Sequence, residues 1–168
     1  MPPTPPATTT RAARSWRSPT TTQAPPSAGN CCWCAGDPAA ADTYFAGFDK
    51  TKVSPPISCP DNLAFDSHGN LWISTDGNAL ESNDGLFAVA LEGPNRGETK
   101  QFLTVPLGAE TCGPVVTDDL VTVCVQHPGE HDDNSIDNPL SRWPEGGNGT
   151  ARPSVVAVWK STGGNIGT

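Results

Sequence analysis

From about residue 57, short apolar runs alternate with clusters of Gly, Asn, Asp and Pro, the rhythm of short strands joined by tight turns. Leu63-Ala64-Phe65 precedes a turn over Asp66 to Asn70, where Gly69 can supply a positive φ, and Leu71-Trp72-Ile73-Ser74 is the return strand. Gly85 to Leu91 and Lys100 to Val105 follow, separated by Gly93-Pro94-Asn95-Arg96-Gly97. Together they predict four short antiparallel strands in meander order. The pattern then begins again: "CPDNLAFDSHGNLWISTDGN" from Cys59 can be laid on "CGPVVTDDLVTVCVQHPGE" from Cys112, a step of 53 residues. Both pieces run from cysteine through turn residues to an apolar strand, an acidic turn, a second strand and a polar loop. Ser154 to Trp159 supplies a third strand of the second unit.

Repeated units of about 40–50 residues, each a small antiparallel sheet, suggest propeller blades. The expected fold is therefore all-β, a partial β-propeller of about two blades and a fragment. Helical patterning is weak, and residues 131–153 read as a long loop crowded with breakers. Residues 1–35 lack the apolar periodicity of a packed element and are expected to form a disordered Pro/Thr-rich tail, which leaves 36–168 as the folded part. The tail carries arginines without a following apolar stretch, so it does not read as a secretory signal, and nothing in the chain approaches transmembrane length.

Charge narrows the partners. The 168 residues carry a formal −8; the first 30 contain three arginines and no acidic residue, so setting aside that +3 leaves −11 on the remainder. An acidic body argues against nucleic acid or an anionic membrane surface. It suits divalent cations, which need clustered oxygen donors. Cys31-Cys32-Trp33-Cys34 has no second pair at zinc-finger spacing and reads as an accidental cluster. Cys59, Cys112 and Cys124 lie in or beside apolar runs and read as buried thiols rather than a disulfide framework.

The hairpin geometry indicates where chemistry could collect. The start of one strand and the end of its antiparallel partner share an edge, which places Asp61 and Asn62 beside Asp76 and Asn78. By the same logic Glu110 falls beside Gln126, His127 and Glu130. If the two units are neighbouring blades, these side chains meet on one rim of a channel while apolar strand middles pack between the sheets. Asp61, Asn62, Asp76, Glu110 and Glu130 offer oxygens for a hard cation, and His127 could serve a transition metal. Asp and Asn at strand ends are also ordinary turn formers. For Asp76-Gly77 alone the turn is the preferred reading, and for His127 site and structural roles stand level. Asp66, Asp118 and Asp119 sit at the far hairpin ends and are assigned to turns, and His68 to solvent. The tryptophans, Trp72 and Trp159 especially, are expected to pack in the core or loops.

The stretches "TYFAGFDK", "SCPDNLAFDSHGNLWISTDGN", "GLFAVALEGPNRGETKQFLTVPLGAETCGP", "VQHPGE" and "RPSVVAVW" resemble the C-terminal part of the PhoX-type alkaline phosphatases, over about residues 36–160. That family consists of exported bacterial enzymes, periplasmic or secreted, with a propeller fold. The resemblance implies phosphomonoester substrates and an iron and calcium cluster, with Asp61, Asn62, Asp76, Glu110 and Glu130 as metal ligands or their supporting shell. His127 is the candidate catalytic side chain. Nothing carries over to Cys59, Cys112 or Cys124. Family members are several times longer, and residues 1 to about 34 match nothing in them; those residues resemble an out-of-frame reading of GC-rich coding sequence. The expectation is a truncated or frame-disrupted product, inactive alone, whose partner would be the missing remainder of the propeller. The alternatives are a non-catalytic propeller fragment that binds calcium or a partner, and a lactonase-like calcium propeller hydrolase.

Overall fold

The computed structural model describes residues 33–52, 56–77 and 79–166. The expected tail up to residue 32, with Cys31 and Cys32, and the rim candidate Asn78 lie outside those residues. Among the described residues there is no α-helix; one 3-10 turn covers Lys50–Lys52. The all-β expectation holds.

Four strands form the first sheet in meander order: β3 (Pro60–Phe65), β4 (Leu71–Thr75), β5 (Gly85–Val89) and β6 (Thr99–Thr104). The second sheet has three, β7 (Glu110–Val116), β8 (Val121–Gln126) and β9 (Ser154–Val158), again in sequence order. Every neighbouring pair in both sheets is antiparallel. A two-stranded ribbon of β1 (Trp33–Cys34) and β2 (Tyr44–Phe45) precedes them. Strands of two residues have no periodicity to read, so this ribbon carried no sequence signal.

Side-chain alternation along the first sheet explains how it is sandwiched. Phe87 points to one face, where it meets Phe45 and Ile57, with Trp33 stacked on Phe45 at 5.6 Å between ring centres. Leu86 points to the other face, joining Trp72 and Val121 against the second sheet. Trp72 there meets Phe102 edge to face at 5.0 Å, an arrangement the ring quadrupoles favour. Its indole N–H donates to Asp66. Asp66 also accepts from the backbone of His68 and from both backbone and side chain of Asn70, so it is the turn residue expected. Burial opposes its charge, but the hydrogen bonds from Trp72 and Asn70 outweigh that and hold its carboxyl below the ordinary value.

Both hairpins are bulged in the same way. In the first, Pro60 faces Thr75 and Leu63 faces Ile73; in the second, Cys112 faces Cys124 and Val115 faces Thr122. In each, three steps on the leading strand match two on its partner, a β-bulge that bends the strand. The bulges superpose Pro60 on Cys112 and Leu63 on Val115, a step of 52 residues rather than the 53 the cysteines suggested. One residue matters, because it exchanges the two faces of a strand. Cys59 therefore precedes its strand, at φ +45°, whereas Cys112 lies within one.

Thr111 joins the two sheets. It is fully buried; its hydroxyl accepts from Thr75 N–H at 3.1 Å and lies within donating distance of Gly85 and Thr75 carbonyls. Thr111→Val keeps the shape and leaves Thr75 N–H without a partner. Urea unfolding of this variant is expected to show a loss of about 1 kcal/mol; an unchanged midpoint would remove Thr111 from this role.

Two packing expectations are corrected. Trp159 is 65% exposed, because it follows the last residue of edge strand β9 and passes beyond the sheet. Cys59, Cys112 and Cys124 are half-buried and free, not buried, since the latter two lie on the face of the second sheet opposite Val121, Val123 and Val125. That face also presents Val115 and Val155, and β3 presents Leu63 and Phe65.

Candidate functional site

The end of β4 and the start of β7 meet where the sheets join. Thr75 and Thr111 hold this junction, so the next residue on the first strand, Asp76, comes to lie against the residue just before Thr111, Glu110. Asp76 N–H donates to Cys59 carbonyl at 3.0 Å, which carries the pairing one step past the strand. Gly77 then turns away at φ +121°, its N–H donating to Asp84 at 3.1 Å. Gly77 makes the turn, and the Asp76 side chain meets Glu110.

Glu130 reaches the same place by a different device. His127 leaves β8 in the left-handed region at φ +47°, Pro128 and Gly129 are buried, and Glu130 N–H returns to the His127 carbonyl at 2.9 Å. The chain therefore doubles back, as the Pro-Gly pair predicted, and His127 Nδ1 lies 3.9 Å from a Glu130 carboxylate oxygen. The loop before β7 supports this turn from below. Leu107 carbonyl accepts from Gly129 N–H at 2.9 Å, and Gly108 carbonyl accepts from Glu130 N–H at 3.3 Å.

Electrostatics register the gathering. Burial, then a hydrogen bond to Asp76 and the charges of Asp76 and Glu130, push the Glu110 carboxyl up to about 7, with His127 opposing. A second carboxylate this close disfavours charge on Glu110. The other two candidates lie on β3. Asn62 is committed to structure: its side-chain oxygen accepts from Gly113 N–H at 2.8 Å across the sheets, and its own N–H donates to Ser74. Asp61, in the bulge of β3, is exposed and faces the Cys112 thiol.

Asp84 escaped the sequence analysis. It is almost wholly buried and fixes the turn after β4 through Gly77. The signal was present only as one acid in Glu81-Ser82-Asn83-Asp84-Gly85, which reads as solvated turn.

The donors here suit a hard cation in kind, since Asp76, Glu110 and Glu130 are carboxylates. They do not suit an iron and calcium cluster in number. Among the described residues, no three His, Cys, Asp or Glu side chains converge as a metal site.

The strand pattern has counterparts in known proteins. The family described as alkaline phosphatase PhoX matches residues 20–129. This chain belongs to the PhoX family. The match reaches back to residue 20, into the segment expected to be unrelated, and ends at the turn that carries Glu130. Among solved structures, Pseudomonas fluorescens PhoX in complex with vanadate, a transition state analogue, is 34% identical, with a TM-score of 0.51. The similarity covers 64% of this chain and 19% of that one, so this PhoX chain spans about a fifth of its relative. No curated protein matches. Family and neighbour agree with the propeller-type architecture expected from the strand pattern.

Proposed function

We propose that this PhoX chain is part of a metal-dependent phosphomonoesterase and supplies one acidic wall of its catalytic channel. The observation that carries this is the Asp76–Glu110 pair, drawn together across two sheets with Glu130 and His127 at its side. Folding would not favour two carboxylates at one point unless something positive is meant to sit there, because their repulsion disfavours charging both. A bound calcium or iron would supply charge neutralisation for the phosphoryl group. Asp76, Glu110 and Glu130 would be its ligands from this chain, with Asp61 nearby as a further carboxylate. His127, exposed and with Nδ1 3.9 Å from a Glu130 carboxylate oxygen, would hold or pass a proton at Nδ1. Phosphomonoesters would be the substrates. The remainder of the propeller would be the partner that completes the ligand set.

The absence of three converging ligands among the described residues favours a second reading, a propeller portion that binds calcium without catalysis. Phosphate release from p-nitrophenyl phosphate, measured with added iron and calcium, separates the two. The isolated chain is expected to show no turnover above metal-only controls yet to bind calcium by titration calorimetry, with binding lost in Asp76→Asn. Calcium binding unchanged by that substitution would sink the acidic-wall proposal.

A further inference from the structure

Cys112 on β7 and Cys124 on β8 are direct register partners. Residues so opposed have Cα atoms about 4.5 or 5.5 Å apart, and a disulfide spans about 4.4–6.8 Å. Both thiols are free and half-buried, on the open face of the sheet. Their side chains also meet on that face. Among the described cysteines neither has a rival partner. Cys59 packs against Gly77, whose added Cβ would lie 3.3 Å from its sulfur, and the Cys34 thiol faces the Ala35 carbonyl. The acidic wall uses neither sulfur.

We propose that Cys112 and Cys124 form a redox modification site that closes to a cross-strand disulfide when met by a low-molecular-weight disulfide such as oxidised glutathione. One protein thiolate attacks a glutathione sulfur, forming a mixed disulfide and releasing one glutathione thiolate. The second protein thiolate attacks the protein sulfur of that mixed disulfide, releasing the other. The protein dithiol loses two electrons, oxidised glutathione gains them, and the two protons end on two glutathione thiols. The new bond clasps β7 to β8 at the first pair before the bulge, two residues from Glu110 and two from Gln126. It fixes the register at the strand ends that carry Glu110 and lead to Glu130. This inference stands whether or not the chain takes part in phosphoester chemistry.

The test holds the full chain in buffers of fixed glutathione redox ratio until equilibrium, quenches with acid, then unfolds, alkylates and digests it with trypsin. Both cysteines fall in the single peptide Gln101 to Arg142, which contains no other cysteine. The folded chain is expected to yield this peptide two hydrogens lighter and without alkyl groups. Its disulfide-to-dithiol ratio should exceed that of the chain equilibrated in urea at the same glutathione ratio by about tenfold or more, because the fold pre-positions the sulfurs. An equal or lower ratio in the folded chain overturns the proposal, as does glutathione attached separately to both cysteines.

Discussion

Replacing Gly108 with alanine is expected to destabilise the chain by on the order of 3 kcal/mol and to loosen the turn that carries Glu130. Two effects combine. Gly108 has φ +68°, where a Cβ is strained, and that Cβ would lie 2.7 Å from Glu130 N and nearer still to its carbonyl oxygen. The obstacle is backbone, not a side chain that can swing aside. Because Gly108 carbonyl also accepts from Glu130 N–H, relief of the clash costs that hydrogen bond. Urea unfolding measures the stability, and amide hydrogen exchange at Glu130 measures the turn. A loss below about 1 kcal/mol with Glu130 exchange unchanged would show that the loop yields without disturbing the rim.

The second large effect is expected at Glu110, and its sign depends on pH. The folded-state value of about 7 lies above the ordinary carboxyl value of 4.5, so between these limits the folded chain binds more protons than the unfolded one. Stability from this group is full below about 4.5 and falls as pH rises to 7 and beyond. Glu110→Gln removes that dependence. At pH 8 the variant should be more stable than the parent by about 1–2 kcal/mol, after allowance for solvent screening of a partly exposed group. Near pH 4 the two should be alike. Calcium should reverse the ranking at pH 8, since a cation between Asp76 and Glu110 relieves the repulsion only where both carboxylates are present. A variant that tracks the parent at every pH would mean that burial and Asp76 do not raise the Glu110 carboxyl.

The contrast between what could and could not be read from the chain follows from how local each signal is. Strands β3 to β6 were legible because each apolar run is bounded by its own Gly, Asn or Pro. The turn from His127 to Glu130 was legible because Pro128 and Gly129 sit between two functional side chains. Register was not. The bulges that shift the repeat from 53 to 52 residues depend on pairing between strands: Gly113-Pro114, with Gly113 at φ +57°, marks the second, but nothing within Pro60 to Leu63 announces the first. Asn62 shows the same limit: its type suited a ligand, and only the approach of Gly113 from the other sheet reveals it as a tie. Trp159 was misplaced because an apolar side chain at the end of an edge strand has no neighbour to cover it, whatever its size.

The uncovered Leu63, Phe65, Val115, Val155 and Trp159 have a practical meaning. Side chains of this kind, spread over two sheets, make encounters between molecules sticky, so turbidity should scale steeply with protein concentration. Sulfate and similar excluded salts would worsen clouding, because they strengthen apolar burial wherever it can occur. Dilution, more than cooling, sets the conditions in which the molecule stays in solution.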